Sequence, residues 1–160
     1  MFAVELIHLF ALIHDDVMDC AHLRRGVPTV HAAYKDQYYK SHDGFHRDSE
    51  SVAILAGDLV YTWAMEQLFS VLGTNTNKEV HQTIISMLEE VVHGQIADIA
   101  LMKNTTVTSE QLLKKNHLKT ASYTFIRPME LGWRLANRAD SIAQIQAIGQ
   151  QLGEGFQIQD

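Results

Sequence analysis

Three carboxylates fall within five residues in the stretch His14-Asp15-Asp16-Val17-Met18-Asp19, at the polar end of an otherwise apolar run. If that run is helical, Asp15 and Asp19 lie one turn apart on one face, about 6 Å along the axis. Carboxylates this close repel one another and carry a desolvation cost unless a cation joins them. Oxygen-only donors favour Mg²⁺, which bridges carboxylates to substrate phosphates while keeping several waters. A solvated acidic helix end is the alternative, and the three acids alone do not decide between the two. Arg24-Arg25-Gly26 follows one short step later. A guanidinium fork matches phosphate oxygens in pairs, and a glycine lets the backbone turn tightly beside it. Adjacent arginines are ordinarily surface charge. Beside an acidic Mg²⁺ cluster they complete a diphosphate clamp, with metal on one side and guanidinium on the other.

Three further places carry polar groups at helical spacing. Lys119-Thr120 with Tyr123 puts a cation, a hydroxyl and a phenol within about one turn. Gly94-Gln95 with Asp98 sets an amide and a carboxylate one turn apart. Phe156-Gln157-Ile158-Gln159-Asp160 ends in an acid with Gln157 three residues before it. Each is weak by itself, since glutamine and threonine on helices are ordinarily surface or capping residues.

The elements that must position these groups read as helices. Leu6, Leu9, Phe10, Ile13 and Val17 recur at three- and four-residue spacing over residues 1–22. Gly26 and Pro28 punctuate the chain after it. Residues 35–50 are polar, with a central Asp43-Gly44, and are expected to form a loop. A second helix is expected over 51–72, stopped by Gly73, and a third over 78–103, capped by Asn77. Thr108 and Gln111 make a capping box that opens a fourth. This fourth helix continues past Lys119 toward Leu135, with a kink expected near Pro128. A last helix is expected from about residue 140 onward. No stretch sustains a two-residue alternation, so the fold class is all-α, an antiparallel helix bundle.

Bulk properties narrow the field. The 160 residues are 46% hydrophobic, enough for a substantial core, and two prolines leave room for long helices. A net charge of −6 gives no electrostatic footprint for nucleic acid. Cys20 is the single cysteine, so no intrachain disulfide forms and a reducing, cytoplasmic setting is expected. The apolar opening run is too short to span a bilayer and lacks the marks of a signal peptide, so no transmembrane segment is expected. Both ends fall inside helical patterns without stop signals, so the sequence reads as an internal piece of a single domain.

The order of the blocks is more telling than any one of them. "ELIHLFALIHDDVMDCAHLRRGVPTVH" closely resembles the first aspartate-rich motif of the trans-prenyl diphosphate synthases. "AILAGDLVYTWA", "GQIADI", "KTASYTF…P" and "GEGFQIQD" are similar to that family's later blocks, in the family's order. The resemblance covers nearly all of the chain. It implies the isoprenoid synthase bundle, truncated at both ends, and a Mg²⁺-dependent enzyme. Such an enzyme condenses isopentenyl diphosphate with an allylic diphosphate by ionisation, condensation and elimination.

By position, the resemblance makes Asp15 and Asp19 the principal Mg²⁺ ligands, with Asp16 supporting them. Asp160 resembles the first aspartate of the family's second motif, holding a further Mg²⁺. Arg24 resembles the arginine on the allylic diphosphate and Arg25 the one on isopentenyl diphosphate. Lys119 is similar to the lysine that holds the leaving diphosphate. Thr120, Tyr123 and Gln157 resemble the groups lining the reacting carbons, and Gln95 and Asp98 those standing behind the metals. Ile7, Phe10 and Ala11 fall at chain-length positions. The growing chain is expected along the Leu6, Phe10 and Ile13 face, with an aromatic floor at Phe10 and a small neighbour at Ala11. That combination resembles geranylgeranyl diphosphate synthases. A homodimer is the family expectation.

Two departures matter. The rest of the second aspartate motif and the N-terminal elements for isopentenyl diphosphate are absent, so these residues alone are expected to be inactive. The 35–50 segment is longer than in many family members. Rival readings remain. A di-iron carboxylate bundle would use Glu5 with His8, Glu90 with His93, and Glu66, Glu130 or Glu154. It leaves Asp15, Asp16, Asp19, Arg24 and Arg25 without a role. A class I terpene cyclase or head-to-head condensing enzyme shares the aspartate chemistry, but Arg24-Arg25-Gly26 and Lys119-Thr120 argue for elongation. A regulatory subunit is the non-catalytic alternative, and intact aspartates argue against it.

Overall fold

The computed structural model describes residues 2–39, 47–73, 77–102, 106–138 and 140–159, the last three without their side chains. The side chain of Gln157 and all of Asp160 therefore lie outside the described residues, as do residues 40–46. The chain packs as two compact units, Met1–Asn75 and Thr76–Asp160. Apart from one two-stranded hairpin, the described residues are helical or in connections, so the all-α expectation holds.

In the first unit, α1 (Phe2–Met18) turns its apolar stripe inward. Leu6, Phe10 and Val17 pack around Ile13 against Ala53 and Val60 of α3 (Arg47–Leu72). The helix stops four residues short of the expected limit, for a local reason. Cys20 takes φ 52°, its amide donates to Val17 O, and the Ala21 amide donates to Asp16 O at 2.9 Å. This pair of reversed bonds is the Schellman closure, usually made with glycine at the left-handed position. Asp19 still lies in the last turn, its amide donating to Asp15 O at 2.8 Å.

Around the Gly26 and Pro28 punctuation the chain forms an antiparallel hairpin. Strands β1 (Leu23–Arg24) and β2 (Val27–Pro28) pair Leu23 with Pro28 and Arg24 with Val27. The two-residue tip is Arg25 at φ 52° and Gly26 at φ 80°, the left-handed pair that the right-handed strand twist favours. Thr29 ends the hairpin, and its hydroxyl donates to Ala21 O at 2.7 Å, tying the hairpin exit to the end of α1.

The 35–50 loop expectation needs correction at both ends. Residues 35–38 belong to α2 (Val30–Tyr38), and 47–50 are the first turn of α3. Polar composition hid both. The α2 helix is only nine residues long, and it packs on α3. The α3 start is polar because Asp48 and Glu50 complement the positive helix end. Gly73, at φ 49°, closes α3 as expected.

The second unit begins with α4 (Lys78–Met102), where Asn77 Oδ1 accepts from Glu79 N at 2.9 Å. The capping box at Thr108 and Gln111 opens α5 (Ser109–Asn116), as the spacing predicts. A π-helix then runs from His117 to Ile126, followed by α6 (Arg127–Leu135) and α7 (Ile142–Gln159). The irregularity expected at Pro128 thus takes a different form. The wide turns precede the proline, with Arg127 N donating to Ser122 O five residues back, and Pro128 sits in the first turn of α6, where its missing N–H costs little.

The π-helix lies between α4 and α7. Against α4 the approach is backbone to backbone, because a Cβ at Gly94 would stand 2.4 Å from Lys119 N and 2.6 Å from Lys119 Cα. Gly→Ala inside a helix ordinarily stabilises by about 1 kcal/mol. Gly94→Ala should do the reverse and destabilise by about 1–3 kcal/mol, because neither backbone can yield without displacing its helix. Thermal denaturation decides, and a raised midpoint would mean the two helices do not approach this closely.

Candidate functional site

At the end of α1, Asp16 is 6% exposed and carries its charge inward. Its partner comes from β1. Arg24 Nε donates to Asp16 Oδ1 at 2.8 Å, and Arg24 Nη2 lies 2.7 Å from the same oxygen and 3.5 Å from Asp15 Oδ2. The hydrogen bond it donates to Asp16, opposed by partial burial and aided by the charges of Asp16, Asp15 and Asp19, holds the Arg24 guanidinium even more firmly protonated than usual. Asp19 is exposed at the helix end, and Arg25 is exposed at the hairpin tip. Helix and hairpin thus bring five of the sequence-selected groups to one end of the first unit: Asp15, Asp16, Asp19, Arg24 and Arg25.

The donor set fits a hard divalent cation. Three carboxylates on the last turn of a helix outnumber the one guanidinium hydrogen-bonded among them. Among the described residues no three His, Cys, Asp or Glu side chains converge as a ready-made metal cage. A Mg²⁺ held through one or two carboxylates and substrate phosphates requires none.

Two side chains between α1 and α3 carried no signal as single residues in the sequence. His14 Nε2 donates to Ile54 O at 3.1 Å and lies 3.5 Å from Asp58 Oδ1. It fits because residue 57 is glycine, where a Cβ would meet the imidazole at 2.3 Å. The signal was the Gly57-Asp58 pair inside "AILAGDLVYTWA". Tyr61 is the second: the Phe10 ring stands 5.1 Å from Tyr61 and 4.9 Å from His14, centroid to centroid. Phe10 is thereby fixed between α1 and α3, about 7.5 Å along the helix from Asp15. Ile7 is fully buried and Ala11 half-buried.

In the second unit, Lys119 Nζ donates to Asp98 Oδ2 at 2.5 Å, and Lys115 Nζ lies 3.2 Å from Asp98 Oδ1. Burial would push the Asp98 carboxyl up, but the two lysines outweigh it and hold it below the usual range. Gln95 Nε2 is buried without a hydrogen-bond partner among the described residues. Tyr123 is buried and Thr120 half-buried in the π-helix. Phe156, next to Gln157, lies 5.9 Å from Phe125, ring to ring.

The sequence reading missed an ion network in this unit. Glu90 accepts from Ser122, from Arg127 Nε at 2.9 Å and from Arg127 Nη2 at 2.5 Å. Glu130, 2% exposed, accepts from Arg127 Nη1 at 2.8 Å and Arg134 Nη2 at 2.8 Å, and Arg134 continues to Glu79. Burial raises the Glu90 and Glu130 carboxyls, yet the arginines hold both below the ordinary range. The network also weakens the di-iron reading. Glu90 and Glu130 serve arginines, Glu154 accepts from Gln150, and His93, Glu5 and Glu66 are exposed.

Known proteins resemble the chain along its whole length. The polyprenyl synthetase family profile matches residues 1–160. A short chain isoprenyl diphosphate synthase of Methanothermobacter thermautotrophicus is 30% identical over 158 residues, 99% of this chain and 44% of that protein. A geranylgeranyl diphosphate synthase of Saccharolobus solfataricus is 34% identical over 163 residues, again 99% of this chain and 44% of its own length. Among solved structures, a Corynebacterium glutamicum geranylgeranyl pyrophosphate synthase complexed with isoprenyl diphosphate and magnesium is similar with TM-score 0.88 and 34% identity. That match covers 97% of this chain and 44% of the other. The chain thus spans under half the length of these relatives.

The lowered carboxyls set the sign of an acid response. A carboxyl whose folded pKa is depressed stabilises fully above its unfolded value, about 4, and loses that contribution as pH falls through the folded value. Stability against urea should therefore fall as pH drops below about 4. Arg127→Met should lower stability at neutral pH and flatten this acid limb, because Glu90 and Glu130 lose their shared cation. An acid limb of unchanged slope in Arg127→Met would contradict the assignment.

Proposed function

The chain belongs to the polyprenyl synthetase family, and on that premise we propose that the protein containing it condenses isopentenyl diphosphate with an allylic diphosphate. The product under this reading is a linear trans-prenyl diphosphate of geranylgeranyl length. The observation that carries the proposal is the meeting of Asp15 and Asp16 with Arg24, where the end of α1 faces the β1–β2 hairpin.

Asp15 and Asp19 would hold Mg²⁺, with Asp16 keeping Arg24 in place behind them. What bound Mg²⁺ supplies is neutralisation of charge on the departing diphosphate. Arg24 then exchanges a carboxylate oxygen for phosphate oxygens without leaving its place, so little reorganisation is required. Arg25, exposed at the hairpin tip, takes the diphosphate of the second substrate. Lys119 holds the leaving group, with Asp98 as its resting partner. Thr120, Tyr123 and Gln157 line the reacting carbons, and the flanking apolar side chains exclude the water that would quench an allylic cation. Asp160 would hold a further Mg²⁺, as its resemblance to the second aspartate motif implies. The same reading makes the full-length protein a cytoplasmic homodimer. No described helix is long and apolar enough to cross a membrane.

Phe10 forms the floor beneath the growing chain, braced by Tyr61 on α3. Ala11, one residue nearer the aspartates, leaves space above it. Relatives of similar identity include a farnesyl diphosphate synthase of Mycobacterium tuberculosis, 32% identical over 159 residues, so family membership alone does not set product length.

The founding test is an assay of the complete reading frame with radiolabelled isopentenyl diphosphate and a set of allylic starters. Absence of condensation with every starter would end the proposal. Asp15→Ala or Asp19→Ala should lower turnover by orders of magnitude through loss of the metal bridge, and Asp16→Ala should do less harm. Wild-type rates in either outer variant would remove the Mg²⁺ assignment. Arg24→Lys keeps the charge but loses the fork, so apparent affinity for the allylic substrate should weaken more than that for isopentenyl diphosphate. The opposite pattern would exchange the roles of Arg24 and Arg25.

Product length has its own test. Phe10→Ala should lengthen the product and Ala11→Phe should shorten it toward farnesyl length, read by chromatography of the dephosphorylated prenols. If neither substitution moves the distribution, Phe10 is a packing residue and not the floor.

A further inference from the structure

One stripe of α4 holds the π-helix at three points. Glu90, Gly94 and Asp98 recur every four residues and so share a face about 12 Å long. At one end, Glu90 accepts from Ser122 within the π-helix and from Arg127 just past it. In the middle, the bare backbone of Gly94 admits the backbone of Lys119. At the other end, Asp98 accepts from Lys119 Nζ. The partners on the π-helix run in the opposite sense, from Arg127 and Ser122 back to Lys119.

Such a template is needed because π geometry is unusual. It is seen mostly as a single widened turn and frequently at functional sites. Here it extends over ten residues, His117 to Ile126. Turns that close i→i+5 are wider than α-helical turns that close i→i+4, so a return to α winding turns Lys119 relative to Ser122. The wide winding is compatible with both contacts at once.

We propose that Glu90 is a positioning residue, which through Ser122 and Arg127 fixes the winding of the π-helix and so holds Lys119 where its amine reaches Asp98. Glu90 touches no substrate in this account and acts on Lys119 across the helix. The consequence for turnover rests on the role given to Lys119 under the proposed function. The positional claim does not.

The experiment uses the complete reading frame carrying Glu90→Gln, which keeps the side chain's size and removes its charge. A short pulse of acetic anhydride followed by peptide mass spectrometry reads the accessibility of Lys119. Amide hydrogen exchange over residues 80–87 of α4, which include the buried Val80, Ile84 and Met87, reports general loosening. Loss of charge-assisted hydrogen bonds should raise Lys119 labelling about tenfold or more, while exchange over 80–87 stays at the native rate. Ser122→Ala removes a single donor and should give a smaller rise in the same direction, and it decides the matter if Glu90→Gln fails to fold. Native labelling of Lys119 in the folded variants, or a rise matched by exchange over 80–87, would overturn the proposal. Where Lys119 labelling rises, kcat should fall with KM for isopentenyl diphosphate preserved, and Glu90→Asp should restore part of both. Raised labelling with unchanged kcat would leave the positioning role standing and refute the catalytic role of Lys119.

Discussion

Buried carboxylates are the constraint on which the rest of this structure depends. Removing such a charge from water costs several kcal/mol unless a cation and hydrogen bonds replace the lost solvent. Asp16, Glu90, Asp98 and Glu130 are all wholly or partly buried, and each is met by an arginine or a lysine. Three of these partners arrive from a separate element: Arg24 from a hairpin, Lys119 from the π-helix and Arg127, for Glu90, from α6. The ion pairs therefore specify which elements must pack together, beyond what apolar burial demands. A mispaired arrangement would strand a charge, and breaking such a pair costs more than the pair itself contributes.

These pairs also leave the reactive groups in an organised resting state. Arg24 is already oriented by two carboxylates before any anion arrives, and Lys119 is already extended toward Asp98. A site whose dipoles and charges are set in advance avoids reorganising them as charge develops on a leaving group. The hairpin contributes by holding Arg25 and Gly26 in left-handed conformations at its tip. That is a conformation most residues resist, maintained here by the strand pairing on either side and by Thr29 bonded back to the end of α1.

Close backbone approach provides the remaining geometry. Without a side chain at Gly57, His14 can lie against α3 one residue before the aspartates. Without one at Gly94, the π-helix can seat its backbone on α4. In both cases the missing atoms matter through what they admit: His14, next to Asp15, in one and Lys119 itself in the other. Phe10 shows the complementary device. A large ring is held by two other rings, Tyr61 and His14, so its position is set by α1 and α3 together.

Much of this was legible in the residues alone. Helical periodicity determined α1, most of α3, α4 and the capping box of α5, because apolar spacing and cap chemistry are local properties. The motif order determined the family, and with it Asp15, Asp19, Arg24, Arg25 and Lys119 as candidates. Composition misled at residues 35–38 and 47–50, where polar side chains on short or terminal helical turns look like loop. Only tertiary structure decided the hairpin, whose two short strands are below any periodic signal, and the π-helix, whose winding answers to contacts with α4. The same holds for the pairing of Asp16 with Arg24, of Asp98 with Lys119, and of Glu90 with Ser122 and Arg127. A residue's partner across the bundle depends on how helices approach and rotate, and no spacing along the chain encodes that.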